Sequence, residues 1–137
     1  RMDGPRTLID RLVRATNDHD VDAVAGCFAP EYENETPVHP ARSFRGRAQV
    51  RKNWEQIFAA VPDIRAEVIA CVSSGDEAWT EWEMSGTRSD GTAHRMRGVI
   101  VFRVVDDLVQ AARFYLEPVD AATGTVDDAV IAQVVRG

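Results

Sequence analysis

The sequence predicts an α+β fold in which a curved antiparallel sheet wraps around three N-terminal helices, with a short C-terminal helix added. Three observations predict it. Apolar residues recur at helical spacing up to about residue 60, strict two-residue alternation takes over from 64 to 118, and turn signals divide that second half into hairpins. Helices that precede strands, rather than alternating with them, separate onto one side of an antiparallel sheet. A cone of that shape leaves a space wherever facing side chains do not meet, so a pocket is expected from topology.

Each element follows from local chemistry. Asp3 can cap an opening helix with Pro5 in its first turn, and Leu8, Leu12 and Ala15, joined by Ile9 and Thr16, form its apolar stripe. Asp20 starts a shorter helix carrying Val21, Val24 and Phe28, which Pro30 is read as stopping. Glu31 to Thr36 then alternate, giving a short strand with Glu31, Glu33 and Glu35 on a solvated face and Tyr32, Asn34 and Thr36 inward. Pro37, His39 and Pro40 make a loop. A third helix runs from about Arg47 to Ala60 with Val50, Trp54, Ile57 and Phe58 inward, and Pro62 closes it.

From Ile64 the strands begin. Ile64 to Val72 is the first, Gly75-Asp76 turns the chain, and Glu77 to Gly86 sets Ala78, Thr80, Trp82 and Met84 inward. Ser89-Asp90-Gly91 turns it again into a strand in which His94, Met96, Gly98, Ile100 and Phe102 alternate with Arg95, Arg97, Val99, Val101 and Arg103. Asp106-Asp107 leads to the last strand, Ala111 to Pro118. After Val119, Thr125 to Asp128 resembles a capping box ahead of Val130, Ile131, Val134 and Val135 at helical spacing. That tail helix is read as covering the pocket mouth or packing on a partner chain.

Composition limits the function classes. A chain of 137 residues that is 45% hydrophobic can bury one sizeable core, so one domain is expected over 1–137, with its core at about 5–119 and a helical tail at about 125–136. A net charge of −6 weighs against nucleic acid or an anionic membrane as partner, since both need a concentrated basic surface. Cys27 and Cys71 give neither a disulfide framework nor a zinc spacing, and the three histidines have no metal-ligand spacing with acids. No metal and no cofactor are expected. With no leader pattern and no apolar run long enough for a bilayer, a cytoplasmic location is expected.

Several short pieces occur together in order: Val24-Ala25-Gly26-Cys27-Phe28-Ala29-Pro30, Phe44-Arg45-Gly46-Arg47, Val61-Pro62-Asp63-Ile64-Arg65, Gly75-Asp76, Gly86-Thr87, Arg97 to Arg103, and Arg113-Phe114-Tyr115-Leu116-Glu117. On these the chain resembles the NTF2-like (cystatin-like) superfamily, especially its SnoaL-like polyketide cyclase branch, from about Leu8 to Val119. Tyr32-Glu33-Asn34 is also similar to the Tyr-x-Asn of limonene-epoxide-hydrolase-type proteins, where that pair helps hold the attacking water. The hydrolase needs an Arg and a second Asp on a middle strand, and here those positions fall on Trp82 and Met84. The His that usually follows the Asn in the cyclase branch is replaced by Glu35.

The resemblance implies a site. Glu117 would remove an acidic proton beside a carbonyl, with Tyr32, Asn34 and Tyr115 at the polar end to stabilise the enolate. Trp54, Trp82 and Phe102, softened by Met84 and Met96, would form an aromatic wall for a flat hydrophobic ligand of polyketide, terpenoid or steroid type. Arg113 is either a positioning group or the partner of a pocket acid. Each residue has a plainer reading: Glu117 solvated near a strand end, Trp54 and Trp82 as core, Tyr32 and Asn34 satisfying a sheet edge. His94 and His39 are read as loop or surface residues.

One conflict stays open. Composition turns Phe114 and Leu116 inward, whereas the resemblance turns Tyr115 and Glu117 inward. The second arrangement would expose Val99, Val101, Phe114 and Leu116 as an apolar outer patch, so a homodimer packed sheet to sheet is expected with it. Two function classes remain: a cofactor-independent acid/base enzyme of cyclase or isomerase type, and a non-catalytic module for a small hydrophobic ligand. A steroid-isomerase-like variant with Glu35 as base is a third, and limonene-type epoxide hydrolysis ranks below it.

Overall fold

The opening stripe is buried as a stripe must be. In the computed structural model, which describes residues 4–135, Leu8, Ile9, Leu12, Ala15 and Thr16 all face the core from helix α1, Gly4–Asn17. The expected cap at Asp3 and the last residue of the expected tail, Arg136, lie outside the described residues. Helix α2, Val21–Gly26, is capped by Asp20, whose carboxylate accepts from the Ala23 N–H at 3.0 Å. It ends sooner than the sequence suggested, because Phe28 already belongs to strand β1, Phe28–Glu35. Pro30 lies inside that strand, where pairing with its neighbour shifts register between Phe28 and Glu33. An irregular stretch of ladder is where a residue without an N–H costs least.

A two-residue strand β2, Phe44–Arg45, precedes helix α3, Arg47–Ala60. Strands β3, Arg65–Ser74, β4, Glu77–Thr87, β5, Ala93–Val105, and β6, Leu108–Pro118, follow, and helix α4, Val126–Val135, ends the described chain. The sheet order is β2-β1-β6-β5-β4-β3. All neighbours pair antiparallel except β1 and β6, which run parallel, so the sheet is mixed rather than wholly antiparallel. The last hairpin turns on Asp106 and Asp107, at φ 54° and 60°, the two successive positive values that a tight turn between right-twisted strands demands.

Register settles the conflict over the last strand. Ala112, Phe114 and Leu116 stand opposite Phe102, Ile100 and Gly98 on the face that packs on the helices, so Arg113 and Tyr115 belong to the other face, while Glu117, at the end of the strand, departs from the alternation and reaches the helix side. The composition was the better guide. The outer face keeps Trp79, Val99, Val101 and Tyr115 and loses Phe114 and Leu116, which removes part of the rationale for a sheet-to-sheet dimer. Arg113 lies over the Trp79 ring at 5.7 Å, and this pair spans the strand between them to cover Val101, which is 2% exposed. Arg97 with Glu81 and Glu83, and Arg95 with Glu83, continue the outer face as a ladder of ion pairs.

Helix α1 is tied to the sheet by polar groups as well as by its stripe. The Asn17 amide donates to the Ala66 carbonyl at 3.0 Å and accepts from the Ala66 N–H at 2.7 Å, completing the edge of β3 like another strand. Helix α4 differs: Val126, Val130, Ile131, Val134 and Val135 are all exposed. It does not form a lid over the pocket, as one of the two sequence readings had it.

Candidate functional site

Trp54, Ile57 and Phe58 on α3 were expected inward, yet only Val50 on that helix is fully buried. The reason is a cavity of about 320 Å³ between α3 and the sheet, into which Trp54 and Ile57 project. Phe28 and Phe44 close one side, Ile64, Met84 and Met96 the other, and Phe114 and Leu116 form the base. Such a lining favours a flat apolar ligand by the area it removes from water.

Polar groups enter at two places. Along the inner face of β1, Tyr32, Asn34 and Thr36 follow one another at strand period: the Tyr32 hydroxyl donates to Asn34 Oδ1 at 2.7 Å, and Asn34 Nδ2 donates to Thr36 Oγ1 at 3.3 Å. Burial pushes the Tyr32 phenol far above its ordinary range, so it remains a neutral donor. Because Tyr32 spends its hydrogen on Asn34, the groups left facing the cavity are the second Asn34 N–H and the Thr36 hydroxyl.

The second place is the mouth. Among the described residues Glu117 is the one carboxylate lining the cavity, and its Oε1 accepts from His39 Nε2 at 3.1 Å, with Arg42 Nη1 4.0 Å from Oε2. His39 and Arg42 come from the loop before β2, where Pro40–Arg42 forms a single turn of 3-10 helix. The Glu117 side chain is 43% exposed. It is therefore a solvated carboxylate at the rim.

The remaining sequence candidates divide clearly. Tyr32, Asn34, Trp54, Met84, Met96 and Glu117 line the cavity together. Trp82 and Phe102 do not: both are 1% exposed and packed beneath it, and the Trp82 indole N–H donates to Thr80 Oγ1 at 2.6 Å, which donates on to the Ile100 carbonyl. An indole so satisfied is core. Tyr115 and Arg113 sit on the opposite face of the sheet, and Glu35 lies in a small outer cleft beside Arg113 and Glu77, so none of the three reaches the cavity. The positions where an epoxide hydrolase would carry its acid and Arg, Trp82 and Met84, are apolar and buried.

Thr36, Arg42, Asn53 and His94 are the polar lining residues that the sequence reading passed over as candidates, and His39, which bonds to Glu117, is another such residue beside the cavity. Thr36 was legible from alternation with Tyr32 and Asn34. His39 was not, because its partner is 78 residues away. The His94 imidazole lies 3.5 Å from Arg88, and desolvation, reinforced by that cation, lowers its pKa below 6.5. Between that lowered value and 6.5 the unfolded chain binds more protons than the folded one, so stability should rise with pH across the window. Acid titration of the melting temperature should show this slope in the wild type and lose part of it in His94→Gln.

Among the described residues no group of His, Cys, Asp and Glu side chains is arranged to hold a metal ion, and no helix is long and apolar enough to cross a membrane.

The family profile of the SnoaL-like domain matches residues 9–112. Among solved structures, IdmH from Streptomyces antibioticus, a proposed polyketide cyclase, is 23% identical, with a TM-score of 0.72 over 82% of this chain and 91% of that one. A Mycobacterium tuberculosis protein in complex with estradiol-17beta-hemisuccinate is 18% identical, with a TM-score of 0.72 over 83% and 94%. SalBIII, an epoxide hydrolase/cyclase-like enzyme in pyran ring formation in the polyether salinomycin, is 19% identical, with a TM-score of 0.72 over 82% and 90%. These likenesses are of fold. No curated protein sequence matches the chain.

Proposed function

The chain belongs to the SnoaL-like domain family, and from that premise we propose that it is a cofactor-independent acid/base catalyst of cyclase or isomerase type, acting on a flat polyketide-, terpenoid- or steroid-like substrate with a carbonyl. The observation that carries the reading is a carboxylate, Glu117, held by His39 at the mouth of a mostly apolar cavity. In this reading Glu117 takes a proton from the carbon next to the carbonyl and returns it to another position of the same substrate, while the Nε2–H of His39 holds the carboxylate in place. Asn34 and Thr36 donate to the oxygen on which charge develops, while Tyr32 acts as a positioning residue that fixes the Asn34 amide.

The exposure of Glu117 is an objection, because a solvated carboxylate is a weak base. Substrate answers it. A ligand filling the cavity covers the rim and displaces water from the carboxylate, which brings the ligand's proton directly against it. The complex of estradiol-17beta-hemisuccinate with a protein of the same fold supports a ligand of this shape.

Proton exchange tests the reading without knowledge of the natural substrate. A panel of flat ketones incubated with the protein in deuterium oxide should gain deuterium at the carbon beside the carbonyl, followed by proton NMR. Binding without exchange above the buffer rate across the panel would favour the second reading, a non-catalytic binding module, which the 43% exposure of the Glu117 side chain supports.

A further inference from the structure

The cavity does not end at its base. Past Asn53, Ile57 and His94, which it shares, it continues into a broader and shallower depression lined also by Gln56, Ala60, Val61 and Arg88. Among the described residues no carboxylate lines that depression. In a chain of net charge −6, a cation and several amide and imidazole groups around an acid-free hollow call for an explanation.

Hydrogen-bond accounting supplies one. Arg88 has only donors, so His94 Nδ1, at 3.5 Å from its Nη2, must accept, and the imidazole proton is then on Nε2. The lowered pKa of His94 agrees with a neutral ring. Gln49 Nε2 donates to Asn53 Oδ1 at 2.8 Å, which fills the acceptor of that amide and leaves its N–H groups free to donate. Arg88 donates from Nη1 to Thr92 Oγ1 and to the Ala93 carbonyl, and among the described residues it makes no ion pair. Asp90, the acid in the same turn, is bonded instead to the Thr92 N–H at 3.0 Å and to its hydroxyl at 2.6 Å. The groups that face the hollow from β5, α3 and the β4–β5 turn are thus donors.

We infer that this depression is an anion subsite and that the ligand is an apolar carboxylic acid, its ring body in the cavity and its carboxylate between Arg88, His94 and Asn53. The inference rests on the reading of the cavity as a small-molecule site. One guanidinium and two neutral donors suit a single charge shared by two oxygens, whereas a phosphate dianion would call for a second cation. The placement also orients the ligand, since a carboxylate held at the hollow leaves the rest of the body to extend towards Glu117 and His39.

The test uses a matched pair of fluorescent probes, pyrenebutyrate and pyrenebutanol, identical apart from the end group. The acid should bind about 10-fold or more tightly than the alcohol, the usual scale for a charge-assisted hydrogen bond. Arg88→Gln should raise the Kd of the acid to that of the alcohol, and Asn53→Asp, which puts a negative charge into the hollow from a half-buried position on α3, should do at least as much. Equal binding of the two probes by the wild type would overturn the subsite while leaving the cavity. So would a preference that survives both variants, or one that Arg42→Gln removes in their place. Failure of both probes to bind would overturn the small-molecule reading itself.

Discussion

Glu117→Gln is expected to lower turnover by about 100- to 10,000-fold while changing the affinity for a neutral ligand by no more than about 3-fold, because general-base catalysis contributes on that scale and binding here is mostly apolar. Glutamine keeps the shape of the side chain and an oxygen able to accept from His39, so the loop that carries His39 and Arg42 should stay in place. Only the ability to take a proton is lost. The variant therefore separates kcat from KM, measured on whichever ketone exchanges deuterium fastest. His39→Asn should cost less than Glu117→Gln, since it removes a donor that positions the carboxylate and not the proton acceptor itself. A Glu117→Gln protein with wild-type turnover would end the acid/base reading and leave the binding module standing.

The fold was legible wherever a local rule sufficed. The stripe of α1, the capping Asp20, the bounds of α3 and the alternation of β4 and β5 are all read from neighbours within a few residues, and the structure follows them. What failed needed distant information. Phe28 looks helical beside Val21 and Val24, but tertiary pairing draws it into β1 next to Val109. The parallel pairing of β1 with β6 joins chain segments almost eighty residues apart, and no periodicity encodes it.

The site was half legible for the same reason. Tyr32 and Asn34 could be found because they lie two residues apart on one strand, and Glu117 because the family resemblance sets an acid there. Trp82 and Phe102 have the period of wall residues, yet period two says only which face a side chain takes, not whether that face meets helix or empty space at that height. The hollow lies nearer the strand ends, so Met84 and Met96 line it while Trp82 and Phe102 fill the core below. The hydrogen-bond partner of Glu117 is set by a loop folding across the end of β6, and the sequence offers no sign of where that loop lands.

Gly98→Ala is expected to destabilise the protein by about 3 kcal/mol or more, a cost at the far end of single substitutions. Gly98 stands in the middle of β5, between Trp82 on β4 and Leu116 on β6, with φ at 151°. A Cβ there would fall 2.1 Å from the Tyr115 carbonyl oxygen and 2.8 Å from the Leu116 Cα. Both are backbone atoms, so no rotamer change relieves the clash. At Gly86, by contrast, the tightest neighbour is a side-chain methyl, Cγ1 of Val61 at 2.4 Å, which can turn aside. A methyl on Gly98 must push β6 away from β5, and β6 carries Phe114, Leu116 and Glu117 into the cavity, so stability and site geometry should fail together. Urea unfolding should show the midpoint falling with the slope unchanged. A loss under about 1 kcal/mol would mean that β6 has room to slide along β5, and in that case register would not be what holds Glu117 within reach of His39.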